Sequence, residues 1–217
     1  MLSSTMQKIG DKKIIYNTIE ELIDPSHTAL VVWDVQNMFV NLIFNRQEFT
    51  RNLGSVIELA RRANVPIFFT RHQLLPIRFE SSARLDMISR LGLDRISQTA
   101  TKEDLDFVIK PKQSYQQQQE QQSEIVIDKH TASIFIDTRF ERMLQSAGII
   151  TVVFTGIATE YGIESSARDA SSRGFYSVVV SDCVSSPDKE GHNRSLENMK
   201  KIITIISSNE IENIWSK

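Results

Sequence analysis

Residues 149–170 read IITVVFTGIATEYGIESSARDA. The first six, Ile149 to Phe154, are strand-forming residues without apolar–polar alternation. That pattern predicts a strand buried on both faces, as in a parallel sheet covered by helices. Thr155-Gly156 permits a tight turn, and Glu160 to Arg173 reads as a helix closed by Gly174. The stretch is one strand–turn–helix unit, and the rest of the chain repeats it.

Apolar runs of strand length recur at Ala29–Trp33 (ALVVW), Val65–Phe69 (VPIFF), Ile125–Ile127, Tyr176–Val180 (YSVVV) and Ile202–Ile206 (IITII). Between them, Phe49–Ala63 carries Phe49, Leu53, Val56, Ile57 and Ala60 on one helical stripe, with Asn64 and Pro66 as a stop. Thr138–Ala147 puts Phe140, Met143 and Leu144 on one face before a Gly148 cap, and Asp188–Lys201 reads as a more polar surface helix. Strand and helix in alternation predict a three-layer, doubly wound α/β fold. Its sheet is mostly parallel, of about six strands flanked by helices. One domain is expected over residues 1–217. Residues 112–122, KQSYQQQQEQQ, have almost no apolar content and read as an exposed, glutamine-rich insertion.

Hydrophobic residues make up 41% and charged residues 24%, a balance that supports a packed core without staples. A formal net charge of -2 argues against nucleic acid or an anionic membrane as a partner. The single cysteine, Cys183, excludes an intramolecular disulfide and reads as a small packing residue. No long apolar run opens the chain and none approaches a membrane span, so a soluble cytoplasmic protein is expected.

In doubly wound sheets, ligands bind beyond the carboxyl ends of the strands. Asp34 directly follows ALVVW. A carboxylate there is costly to desolvate unless paired, so Asp34 is either a cleft group or a helix cap. Lys129 follows Ile125–Ile127 through Asp128 and is either a surface charge or, turned inward, the charge partner of Asp34. His72 follows the VPIFF run and is open to a cleft role or to polar packing. The turn after Phe154 offers unsatisfied backbone N–H groups that suit an oxyanion or carboxylate. His27, His130 and His192 are scattered, so no metal-ligand spacing appears. G-x-S-x-G, Walker and G-x-G-x-x-G patterns are absent.

Three motifs in order, D34-V-Q-N-M-F, K129-H-T-A-S-I-F and T155-G-I-A-T-E-Y-G-I-E-S-S-A-R-D-A, resemble the isochorismatase-like (cysteine hydrolase) superfamily over roughly Thr28 to Ser207. The resemblance implies an Asp-Lys-Cys triad in which Asp34 and Lys129 match and the nucleophile position falls on Gly162. Glycine excludes thiolate catalysis there. It is also what the isochorismatase branch carries, whose members hydrolyse a vinyl ether with an aspartic acid as general acid. Two departures stand out. Thr131 and Ala132 lie where an aromatic residue is usual, and His72 lies where a glutamine is usual. The nicotinamidase metal pattern is absent, and no cofactor is expected.

The reading is therefore a hydrolase of a small anionic or carbonyl-bearing substrate, acting without a cysteine nucleophile. The alternative is a catalytically silent binding or regulatory protein that kept the pocket. The resemblance further implies a homodimer or higher homo-oligomer and a cis Ile157–Ala158 peptide that aims the N–H groups of Ala158 and Gly162 into the cleft. It places Arg78 and Arg84 over the cleft, where a guanidinium suits a carboxylate; the commoner fate of such arginines is a solvated surface.

Overall fold

The computed structural model describes residues 7–9, 13–73, 75–92, 100–112 and 124–217. Near the N-terminus, β1 (Gln7–Ile9) and β2 (Lys13–Ile15) pair antiparallel, and a short helix, α1 (Ile19–Leu22), leads into the sheet. Its strands are β3 (Thr28–Trp33), β4 (Ile67–His72), β5 (Glu124–Lys129), β6 (Thr151–Ile157), β7 (Tyr176–Ser185) and β8 (Thr204–Ile206). They lie in the order β5-β4-β3-β6-β7-β8, and every pairing is parallel. All six residues of β3 are buried, which is why its sequence shows no alternation.

The two faces of the sheet carry separate cores. On one, Leu30, Val32, Val153, Val178 and Val180 pack with Phe49, Leu53, Val56 and Ile57 of α3 (Arg46–Arg62), which follows the short α2 (Asn37–Val40). Ile211 and Trp215 join the same core. On the other face, Ala29, Val31, Trp33, Val152, Phe154 and Val179 pack against Phe140 and Leu144, Ala167 and Ala170, and Met199. Each fully buried side chain of this size contributes about 1.5–3 kcal/mol, so both faces must be covered for the sheet to be stable.

Several boundaries differ from the sequence reading for local reasons. β4 starts at Ile67 because Val65 N–H still closes α3 on Ala60 O, and Pro66 has no N–H to give a ladder. β8 starts at Thr204, since Ile202 and Ile203 N–H both bond Met199 O in the last turn of the preceding helix. β7 extends past Val180 to Ser185 through an irregularity in its pairing with β6.

The remaining helices are α4 (Ser82–Arg90), α5 (Lys102–Leu105), α6 (Phe140–Ser146), α7 (Glu164–Ser172), α8 (Lys189–Met199) and α9 (Ser208–Trp215). The sequence reading passed over α9. Its signal is a capping box, Ser207 with Glu210, followed by the buried pair Ile211 and Trp215. Of the glutamine-rich stretch, residues 113–122 lie outside the described residues. Among the described residues, no helix is long and apolar enough to cross a membrane.

The chain runs outward from β3 to β4 and β5 on one side, and from β6 to β7 and β8 on the other. The switch point, where a doubly wound sheet opens a crevice, therefore lies at the carboxyl ends of β3 and β6.

Candidate active site

Asp34 is the first residue past β3 and sits at φ 46°, in the left-handed region that a side chain adopts at a cost. Its carboxylate is held from two sides. Thr70 Oγ1, on β4, donates to Oδ1 at 2.5 Å and accepts from Asp34 N–H at 2.9 Å. Lys129 Nζ, at the end of β5, lies 2.6 Å from Oδ2. The lysine reaches past β4 to do so, and the side chains are only 2% and 9% exposed. Burial pushes the Lys129 ammonium below its usual range, and Asp34 opposes the shift. The ammonium also lies 4.1 Å from the centre of a Trp33 ring, a cation–π contact that further favours the charged form.

Two glycines, one near the end of β6 and one past it, make room for Trp33. Gly156, at φ 119°, is the register partner of Trp33, and a Cβ there would come within 2.6 Å of Trp33 N. A Cβ at Gly162 would collide with the indole itself, overlapping Nε1 and Cε2 and lying 2.6 Å from Cζ2. Between the two glycines, the Ile157–Ala158 peptide is cis, and Thr159–Ile163 forms a π-helical turn that leads into α7. Ala158 O accepts from both Tyr161 and Ile163 N–H, and Ser166 Oγ donates to Gly162 O at 2.6 Å.

These elements wall a cleft of about 190 Å³, lined by Asp34, His72, Arg84, Lys129, Ala158 and Gly162 together with Trp33 and the apolar Phe39, Leu42 and Met87. Six of the seven residues singled out in the sequence thus meet in one place. Arg78 does not. It is exposed, with its guanidinium 5.8 Å from the Phe79 ring, because it lies in the short turn before α4 rather than on the helix face turned to the cleft.

Arg84 Nε is 3.6 Å from Glu80 Oε2, and neither atom has a hydrogen bond. His72 is neutral at pH 7. Burial first, and Lys129 second, push its pKa down to about 4. Its backbone N–H donates to Gln36 Oε1, while Gln36 Nε2 donates to Leu105 O, which ties β4 to α5. Thr70 and Gln36 are the structural partners that sequence reasoning missed. Their one signal was a polar residue inside or just after an apolar strand. Cys183 lies away from this cleft, fully buried in the α3-side core.

Comparison with known proteins places this architecture. The isochorismatase domain model matches residues 28–210. The chain belongs to the isochorismatase family. Nicotinamidase 3 of Arabidopsis thaliana is 30% identical over 172 residues, covering 79% of each chain. Ureidoacrylate amidohydrolase RutB of Pseudomonas savastanoi is 29% identical over 179 residues, covering 73% of this chain and 70% of that one. Among solved structures, a cysteine hydrolase from Pseudomonas syringae superposes with a TM-score of 0.73 over 96% of this chain and 99% of that one, at 16% identity, a likeness of fold.

Within the family frame, Asp34 and Lys129 are a bonded pair at the switch point. The volume beside Gly162 is filled by the Trp33 indole.

Proposed function

We propose that this member of the family is a small-molecule hydrolase that works without a covalent intermediate, with Asp34 as the proton-transfer group. The observation that carries the reading is the 2.6 Å Asp34–Lys129 pair at the wall of the cleft. A buried ion pair adds little or nothing to stability relative to an apolar pair of the same shape. Its presence beside a ligand-sized space therefore argues for chemistry rather than for folding.

In vinyl-ether hydrolysis, Asp34, once it has taken a proton from Lys129, would protonate the enol carbon; water would add to the oxocarbenium carbon, and the proton it releases would return to the Asp34–Lys129 pair. The hemiketal would then collapse to a carbonyl product and an alcohol. Burial weakens the hold of Lys129 on its proton, so it can resupply Asp34 more readily than a solvated lysine could.

A second reading, a silent binding protein, is favoured by one observation: the Trp33 indole takes up space that a reacting group and its water would otherwise share. One experiment separates the two. Purified protein is incubated with isochorismate and, because the relatives include an amidohydrolase, with simple amides; pyruvate and ammonia are then assayed. Turnover lost in Asp34→Asn supports the hydrolase. Absence of turnover on a cleft ligand that binds supports the silent reading. The same family reading carries a homo-oligomer with a small-molecule substrate, and light scattering showing only monomer at micromolar concentration would count against that assembly.

A further inference from the structure

Trp33 is 2% exposed, yet its indole N–H has no acceptor among the described residues. The contrast is Trp215, whose Nε1–H donates to Ile23 O at 2.9 Å. An indole N–H that the protein leaves without an acceptor is met by water or by a ligand where it reaches a cleft, and Trp33 Nε1 is not among the sealed, unsatisfied side-chain atoms of the described residues. Trp33 Nε1 is not sealed inside protein: the residue lines the cleft, and Nε1 is the atom that a Cβ at Gly162 would strike first. Nε1 therefore occupies the place where the family motif would put a nucleophile's side chain.

Other donors surround it. Lys129 Nζ lies over the same indole, and Arg84 Nε has no hydrogen bond of its own. Ala158 gives its carbonyl to the π turn, while its own N–H bonds nothing among the described residues. The cleft lining also includes the apolar Phe39, Leu42 and Met87.

We infer that Trp33 Nε1–H is a ligand-binding donor that replaces the nucleophile, and that it holds one oxygen of a carboxylate whose apolar body rests on these apolar side chains. This deepens the small-molecule reading above and names its ligand class. It does not depend on turnover. A carboxylate suits the site because the N–H groups of Trp33 and Ala158 lie beside two cations, Lys129 and Arg84, whose charges are shared with Asp34 and Glu80, and a hydrogen bond gains strength when one partner is charged.

The test uses the full chain labelled with ¹⁵N and titrated with sodium benzoate, with benzamide as the uncharged counterpart. The chain has 2 tryptophans, so two indole N–H resonances are assigned by the loss of one in Trp33→Phe. The expected result is a saturable downfield shift of the Trp33 resonance with benzoate and a weaker effect of benzamide, while the Trp215 resonance stays put. Trp33→Phe keeps an aromatic face for Lys129 but has no N–H, and should bind benzoate about tenfold more weakly, as measured by calorimetry.

An unmoved Trp33 resonance, equal response to benzamide, or undiminished benzoate binding in Trp33→Phe would each overturn the inference. If Trp33→Phe does not fold, Trp215→Phe assigns the two resonances instead and the titration of the parent protein still decides. Benzoate binding through Trp33 with no hydrolytic turnover would sink the hydrolase reading alone. Turnover with an unmoved indole would sink this inference alone.

Discussion

Placing a cysteine at position 162 should damage this protein rather than equip it. The new Cβ would lie 2.6 Å from Trp33 Cζ2 and nearer still to Nε1 and Cε2. Carbon contacts settle at about 3.5–4.0 Å, so the ring must retreat by roughly 1 Å or more. It has little room, being 2% exposed and capped on a face by Lys129 Nζ at 4.1 Å. Overpacking of this kind costs about 1–3 kcal/mol, and losing the cation–π contact adds about 1 kcal/mol. Replacing a helical glycine returns only about half a kcal/mol. A net loss of about 1.5–3.5 kcal/mol lowers the melting temperature of a domain this size by roughly 3–14 °C.

Calorimetry on Gly162→Cys, Trp33→Ala and the double variant measures the clash directly. The double variant should be more stable than the sum of the singles by about 1–3 kcal/mol, because the cavity left by the indole accepts the new side chain. Thiol titration of the folded double variant should count one reactive group. Cys183 stays silent, since burial first and Asp182 second push its thiol well above the usual range. A single variant that melts with the parent and exposes a reactive thiol would refute the reasoning. It would mean that the indole yields freely and the volume beside Gly162 is not filled.

Three further outcomes follow from the same geometry. Asp34→Asn leaves Lys129 buried without its counter-charge and should cost about 3 kcal/mol in urea unfolding, and the pair Asp34→Asn/Lys129→Met should recover part of that loss. Thr70→Val removes the hydroxyl that donates to Asp34 Oδ1 and accepts its N–H. It should cost about 1–3 kcal/mol by the same measurement, with Thr70→Ser near the parent.

His72 is held near 4 in the fold against about 6.5 in the unfolded chain. Between those values the unfolded state binds more protons, so stability falls as pH drops from about 6.5 toward 4. His72→Gln should flatten that slope in pH-dependent melts, leaving the part that His192, also pushed down by burial, contributes. An unchanged slope would place the His72 ring in solvent.

The all-parallel sheet was legible because burial on both faces removes the polar alternation from a strand, and runs such as ALVVW and YSVVV carry that mark locally. Asp34 and Lys129 were legible for a related reason: each stands at the end of such a run, and a doubly wound sheet sends those ends to one edge. Glycine at position 162, and with it the absence of a thiol there, was also written in the chain.

What only the tertiary structure decided was which groups touch. The Trp33 ring could not be assigned to the space beside Gly162 from sequence, because the two are on different strand–helix units and meet only through the β3–β6 register. Thr70 could not be seen as the second partner of Asp34, because the Thr70–Asp34–Lys129 cluster draws on three adjacent strands. The choice between Arg78 and Arg84 was a matter of where α4 begins, since the N-cap at Ser81 puts only the second on the cleft face. Local pattern records what each residue needs from its own surroundings. Contact between distant residues depends on register and helix phase, which no single stretch of chain contains.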